Sequence, residues 1–224
     1  MGNVHLSENE FHLALDYFMR GYNLRRERLP PDHLHIAQSI HNIGVLHKKT
    51  GDYDRALDYF KQSLEIKEKH IDDDLSKATT LENIGGAYRQ KKGYDLASKY
   101  LTEVHEMYKP LLPQQHPTIA RCFGEIGALY EDQLDYNHTL DYYRRQYEMD
   151  EKTLPSEHQH LTRDMHNIVR IYKKKDEHDT ASQFCKQKLA EQRNNLPQSH
   201  PRIDHTLRSL VDMFSEKDSN FTLK

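Results

Sequence analysis

A set of small and aromatic residues recurs every 41 or 42 positions along this chain of 224 residues. A unit of that size cannot bury its apolar face alone and must stack on a copy of itself. The period therefore predicts a repeat array that serves as a scaffold, without a single central core. The residues that keep register are Gly44, Gly85, Gly127, Val169 and Val211; Phe11, Tyr53, Tyr94, Tyr136 and His178; Ala14, Ala56, Ala97, Thr139 and Ala181; and Tyr17, Tyr59, Tyr100, Tyr142 and Phe184.

Composition limits the partners and the cellular location that we expect for this array. A formal net charge of -3 gives no general attraction to nucleic acid. No apolar stretch is long enough to span a membrane, and the N-terminus lacks the apolar core of a signal peptide. A cytosolic or nuclear setting is therefore the default, and of the two we expect a cytoplasmic protein. Cys122 and Cys185 have no metal-type partners at close spacing, which favours reduced, packed thiols.

Each unit carries the pattern of two amphipathic helices. In the first full unit, Ala37, Ile40 and Gly44 mark one helical face, a turn at 50–52 interrupts the pattern, and Ala56 and Phe60 mark a second face. A glycine inside a helix costs about 0.5 to 1 kcal/mol relative to alanine. Its recurrence therefore predicts a helix crossing too close for a Cβ atom. One residue is missing between positions 60 and 71, and we expect it in a loop.

The repeats do not begin and end as whole pairs. Ser7–Glu10 is a plausible capping box that leads into a helix of the second type, and a helix of the first type follows Pro201. We therefore expect an N-terminal flank at 1–7, an array at 8–217 with a leading helix, four helix pairs and a trailing helix, and a polar tail at 218–224. Such an offset is typical of a fragment of a longer array.

Histidines recur in the loops between units, three residues after a proline, at His33, His116, His158 and His200. They lie at least one repeat apart, whereas a zinc site needs three or four ligands that converge at about 2 Å. We interpret them as helix caps and loop-packing residues, and we expect no metal and no cofactor. No phosphate-binding loop or nucleophile motif is present either, so we predict that the chain is not an enzyme.

A period near 42 would also suit HEAT or armadillo arrays, and particular segments separate these possibilities. Asn42–Leu46, Gly51–Tyr53, Ala56–Phe60 and Leu112–Pro117 together resemble the tetratricopeptide repeat (TPR), in the lengthened form typical of kinesin light chains. The resemblance implies an all-α fold, a right-handed α-solenoid of antiparallel helix pairs. The chain departs from the family pattern at two positions. The turn glycines, Gly51 and Gly93, become Asp135 and Glu177, and the helix-crossing glycine becomes Val169 and Val211, so we expect less regular helix spacing in units three to five.

The resemblance also implies that a linear peptide binds in a concave groove lined by the first helix of each pair. Matched position by position, the peptide-binding residues would be Gln38, His41, Asn42, Thr79, Asn83, Arg121, Arg163, His166, Asn167, Arg170, Lys173, His205 and Arg208. An inward asparagine offers both a donor and an acceptor to a peptide backbone. The alternative is that these asparagines bond only to neighbouring side chains.

The charges of this expected groove are uneven, because the arginines concentrate in its C-terminal half. An acidic or phosphorylated segment is therefore the favoured partner. The alternative is that some arginines only pair with Glu125 and Glu131 or only contact solvent. The leading hypothesis is a non-catalytic protein-interaction scaffold with a protein or peptide partner, and the second is a regulatory or targeting array of a larger enzyme or motor adaptor. Fold alone does not decide between them.

Overall fold

The computed structural model describes residues 8–70 and 74–221, and the side chains at 10–70 and 74–212. All the secondary structure in these ranges is helical. The helices are α1 (Glu8–Arg28), α2 (Leu34–Lys49), α3 (Tyr53–Glu68), α4 (Asp74–Gln90), α5 (Tyr94–Leu111), α6 (Pro117–Asp132), α7 (Tyr136–Thr153), α8 (Gln159–Lys174), α9 (His178–Asn195) and α10 (Pro201–Phe221). They divide into an N-terminal unit, α1–α5, and a C-terminal unit, α6–α10.

Glycine allows the two helices of a pair to cross closely. A Cβ atom on Gly44 would lie 2.8 Å from the Phe60 ring, and one on Gly127 would lie 2.6 Å from the Tyr143 ring. These are distances that real Cβ atoms essentially never show, so the predicted close crossing is confirmed for α2/α3 and α6/α7. Val169 takes the glycine position in α8, and α8 contacts α9 much less extensively. The expected irregular spacing therefore applies to the α8/α9 pair and not to unit three.

Helices of one kind also lie side by side within each unit. The first helices α2 and α4 contact each other in the N-terminal unit, as α8 and α10 do in the C-terminal unit. Between pairs, α3 packs on α4 and α7 packs on α8. We call the exposed sides of the first helices α2, α4, α6, α8 and α10 the first-helix face.

The recurrent loop histidines are helix N-caps, as the sequence predicts. His33 Nδ1 accepts a hydrogen bond from the backbone N–H of His35 at 3.1 Å, and His116 Nδ1 accepts one from Thr118 at 3.1 Å. The same bond recurs at the starts of α8 and α10. Each cap satisfies one of the backbone donors that the first turn of a helix leaves without a partner.

The backbone conformation of the turn inside each helix pair shows that the alignment of Gly51 with Gly93 is wrong. Gly51 has φ +84°, and the residues with the same left-handed backbone in later pairs are Lys92, Leu134 and Asp176. Gly51 therefore does not align with Gly93, which occupies the N-cap position of α5. Because the other three are not glycines, those turns retain a backbone conformation that side chains disfavour.

Three expectations about boundaries have different outcomes. The missing residue is expected in a loop, and the chain between α3 and α4 includes residues 71–73, which lie outside the described residues. Helix α10 continues to Phe221, beyond the expected end of the array at residue 217. Ser7, which begins the predicted capping box, lies outside the described residues.

Candidate peptide-binding surface

The first-helix face of the C-terminal unit contains an open groove of about 690 Å³ between α8 and α10. Four of the predicted residues line it: Arg163, His166, His205 and Arg208. His166, His205 and Arg208 are exposed. Within the described part of the chain, no hydrogen bond or ion pair engages the side chains of these three residues. Three basic side chains therefore face an open groove with their donors available to a ligand.

Other predicted cations are engaged within the protein. Arg170 on α8 forms an ion pair with Glu131 on α6, and Arg163 donates to Asp164 Oδ1 from Nε at 3.1 Å and from Nη2 at 2.9 Å. Arg121 and Lys173 also have interactions inside the chain. The alternative expectation, that arginines pair with glutamates, thus describes Arg170.

In the N-terminal unit, the predicted polar residues bond mainly to one another and to their own helix. Gln38 Nε2 donates to Asn42 Oδ1 at 2.9 Å. Asn83 accepts from Lys48 Nζ at 3.0 Å and donates to the backbone carbonyl of Thr79 at 3.0 Å. Asn83 keeps one N–H and one lone pair of its carbonyl oxygen for a ligand.

Asn167 in the C-terminal unit is less tightly engaged than Asn83. Its Oδ1 accepts from Arg170 Nη2 at 3.5 Å, at the long end of the hydrogen-bond range, and the side chain is half-buried. The structure therefore brings Asn167 and Arg170 together on α8, where Asn167 directly follows His166.

His41 corrects the sequence-based set, because it lies in the interior. It is 6% exposed, it packs against the Phe60 ring, and its Nδ1 lies 3.2 Å from Thr80 Oγ1. Burial, followed by the positive charges of Lys67 and Lys48, lowers the pKa of His41 from 6.5 to about 4. His41 is therefore a neutral core residue near pH 7 and is not available to a peptide.

One groove residue has a role that the sequence does not reveal. His200 lines the groove between α8 and α10 while it caps α10. The recurrence of the loop histidines predicts that His200 caps a helix. It does not predict that His200, unlike the other three, also lines the groove. Only the packing of α10 beside α8 places this ring in a groove.

Two further chemistries find no support in the described residues. Among the described side chains, at 10–70 and 74–212, no group of three or more His, Cys, Asp or Glu is arranged to hold a metal ion. None of the helices in these ranges combines the length and apolar character needed to cross a membrane. Cys122 and Cys185 are buried free thiols.

Comparison with known proteins agrees with this architecture. The sequence profile described as tetratricopeptide repeat matches residues 1–69 and 76–152. No curated protein sequence shows significant similarity to the chain.

Several solved structures have the same fold at low identity. The putative kinesin light chain TPR-like repeats of Podosopora anserina share 15% identity, with 93% of this chain and 89% of that chain covered and a TM-score of 0.64. BtubC (BKLC) from P. vanneervenii shares 16%, with 94% and 76% covered and a TM-score of 0.66. Aspartyl phosphate phosphatase F from Bacillus subtilis shares 14%, with 94% and 58% covered and a TM-score of 0.68. The predicted fold class, an all-α solenoid of antiparallel helix pairs, is thereby confirmed.

Proposed function

Because this chain belongs to the tetratricopeptide repeat family, as an array of the kinesin-light-chain type, we propose that it is a non-catalytic protein-interaction scaffold. It binds a linear, acidic segment of a protein partner on the first-helix face. The observation that carries this proposal is the groove between α8 and α10, where His166, His205 and Arg208 present available donors. A cytoplasmic setting belongs to the same proposal, and the two buried free thiols are compatible with a reducing compartment.

The charge around the groove favours an acidic ligand. Arg208 is exposed and has no carboxylate partner among the described side chains, so an acidic side chain would not have to displace an existing ion pair. Arg170 differs, because a ligand would have to compete there with Glu131. We therefore assign the charge preference to Arg208, with His166 and His205 beside it.

Asparagines supply contacts that do not depend on the peptide sequence. Asn167 is weakly bonded and half-buried on α8, and Asn83 occupies the corresponding place on α4. A side-chain amide can bond a peptide N–H and C=O together, which gives affinity with little side-chain selectivity. We propose this role for both residues, each within its own unit.

Fluorescence anisotropy tests the proposal with short labelled peptides of acidic, neutral and basic composition. Arg208→Glu should weaken binding of the acidic peptides about tenfold or more, because it removes a charge-assisted bond and adds repulsion. Arg193→Glu is the matched control, since Arg193 is exposed on the second-type helix α9 and changes the net charge equally. Asn83→Ala together with Asn167→Ala should cost about 1 to 3 kcal/mol for every peptide that binds.

The outcomes distinguish binding in the groove from unspecific attraction by net charge. Higher salt should weaken binding to the wild type, because the arginine is solvent-accessible. Equal losses for Arg208→Glu and Arg193→Glu would show that net charge alone acts. Indifference to both arginines and to both asparagines would remove the first-helix face as the binding site.

A further inference from the structure

His200 stands apart from the other loop histidines because its ring is buried in the wall of a groove. The residue is 7% exposed, and its Nδ1 accepts a hydrogen bond from the backbone N–H of Arg202 at 3.2 Å. A neutral imidazole has one acceptor nitrogen and one donor nitrogen. Since Nδ1 is the acceptor, the proton of the neutral ring lies on Nε2.

This Nε2–H donor has no hydrogen-bond partner among the described residues, although it is buried. The closest carboxylate oxygen is Glu157 Oε1 at 3.7 Å, which is too long for a hydrogen bond. Glu157 instead accepts a hydrogen bond from Ser156 Oγ at 2.8 Å, and its side chain is 72% exposed. A buried donor without an acceptor costs about 1 to 3 kcal/mol, and a ligand oxygen in the groove would remove that cost.

The rest of the groove has the chemistry of an anion site. His200 caps α10, whose helix dipole favours negative charge at that end. Arg208 lies on α10 and also lines the groove, and it is exposed. Arg202 offers no free donor, because its backbone N–H is bonded to His200 Nδ1 and its guanidinium is bonded to Tyr147 Oη at 3.1 Å and to Glu151 Oε1 at 3.0 Å.

Both facing helices supply charges to the groove. His166 on α8 and His205 on α10 add basic groups, while Glu157 and Asp212 are the acidic side chains that line it. Both acidic residues are exposed at the groove edge, whereas the unbonded donor of His200 is buried in its wall. The groove therefore offers a buried neutral donor, a helix N-terminus and an exposed arginine to the same ligand.

We propose that the groove between α8 and α10 binds a phosphoryl group carried by a peptide, with His200 Nε2–H donating to one of its oxygens. The inference rests on the proposed peptide-binding function and specifies its ligand. A phosphoryl group brings about two negative charges and three acceptor oxygens, so it suits the His200 donor at the N-terminal end of α10 better than a carboxylate does. Arg208, eight residues further along α10, attracts the acidic peptide that carries the phosphoryl group. The groove of about 690 Å³ is the size of a site for an extended ligand, and a free ion would leave most of it empty.

The test uses the full chain and three short capped peptides that differ at one position, which is phosphoserine, glutamate or serine. Anisotropy titrations at constant ionic strength should give binding of the phosphoserine peptide about tenfold tighter than that of the glutamate peptide. His200→Asn keeps an N-cap acceptor and removes the Nε2–H donor. It should weaken the phosphoserine peptide about tenfold and leave the glutamate peptide unchanged.

Two further variants keep the result independent of folding. His116→Asn changes the same type of cap at the start of α6, outside the α8/α10 groove, and should leave all three affinities unchanged. Glu157→Gln removes an exposed acidic group near the buried donor, and should tighten binding of the phosphoserine peptide about threefold or more. Thermal unfolding of each variant verifies that the fold is kept.

The inference fails if the phosphoserine and glutamate peptides bind equally, or if His200→Asn binds the phosphoserine peptide as the wild type does. Inorganic phosphate is the third arm, and binding as tight as that of the phosphoserine peptide would overturn a peptide-borne ligand. Equal binding of both acidic peptides that is still lost in Arg208→Glu would leave the proposed function standing without the phosphoryl site. Failure of all three peptides would overturn the inference and the peptide-binding function together, and a phosphate-dependent shift of the His200 ring signal in NMR would then indicate binding of a free phosphate ion only.

Discussion

Arg170 on α8 and Glu131 on α6 form a two-bond ion pair, in which Arg170 Nη2 lies 2.8 Å from Glu131 Oε2 and Nη1 also donates. Lys174 Nζ and Tyr143 Oη donate to the same carboxylate at 2.8 and 2.9 Å. Burial alone would raise the pKa of Glu131, but the bonds from Arg170, Lys174 and Tyr143 lower it to about 2. One carboxylate thus occupies two cations of the first-helix face.

Glu131→Gln should release these cations and lower stability. Loss of the charged hydrogen bonds should cost about 1 to 3 kcal/mol in urea unfolding at pH 7, while acidic peptides should bind more tightly because Arg170 is available. The wild-type folded-state pKa lies below the unfolded value, so the stabilisation is present above about pH 4.5 and is lost as the pH falls towards 2. Glu148→Gln, on an exposed position of α7, is the control and should change neither quantity appreciably.

Adjacent glycines of α4 should respond oppositely to the same substitution. A Cβ atom on Gly85 would lie 2.9 Å from Leu101 Cγ, so Gly85→Ala should destabilise by about 1 to 3 kcal/mol. A Cβ atom on Gly86 would meet only the end of the Lys48 side chain, with Nζ at 3.2 Å, and that side chain can move. Gly86→Ala should therefore retain wild-type stability or gain up to about 1 kcal/mol from helix propensity. Equal losses in urea unfolding would contradict the crossing geometry.

Leu134 has a left-handed backbone, at φ +62°, and its side chain is 69% exposed. Leu134→Gly should stabilise the protein by about 1 kcal/mol, because glycine adopts this conformation without the steric cost. Leu96→Gly is the counterpart, since Leu96 is exposed inside α5, and it should destabilise by about 1 kcal/mol. Thermal unfolding should move the two midpoints in opposite directions, and a shared downward shift would argue against strain at Leu134.

Asp150 on α7 and Asp164 on α8 are a buried acidic pair, at 3% and 1% exposure. Burial, then the hydrogen bond to Asp164 and its charge, raises the pKa of Asp150 from 3.8 to about 7. The folded state therefore holds the proton more tightly, and this pair makes stability fall as the pH rises from about 4 to about 7.

Asp150→Asn should remove that loss, because an amide can donate to Asp164 without a proton. At pH 8 we expect a gain of about 1 to 3 kcal/mol in unfolding free energy, which disappears near pH 4. Asp141→Asn, at an exposed position on the same helix, should show no such pH dependence. A destabilised Asp150→Asn at pH 8 would show that the carboxylate is needed in its ionised form.

The helix crossings and helix caps can be predicted from the sequence, because their residues recur with the repeat period. Contacts between residues that are distant in the chain cannot be predicted in this way. The recurrent glycines predict the close helix crossings, because a missing Cβ atom inside a helix allows another helix to approach. The loop histidines predict the caps, because an N-cap bonds only to the first turn of its own helix. The available Arg208 cannot be told from the paired Arg170 in the sequence, since the partner of Arg170 lies 39 residues away in the chain. His41 is misplaced for the same reason, because Thr80 and Phe60 bury it from other helices.

The valine at the α8/α9 crossing also affects how easily α9 separates from α8 within the C-terminal unit. Repeat arrays are held by nearest-neighbour interfaces, so each interface has its own free energy of separation. With Val169 in place of glycine, α9 has fewer contacts to hold it against α8 than α7 has against α6. Amide hydrogen exchange should therefore be faster in α9 than in α7. A ligand that contacts both α8 and α10 would bind only the state in which the helices of the C-terminal unit are packed together. Amide hydrogen exchange in α9 should therefore become slower as the fraction of ligand-bound protein increases.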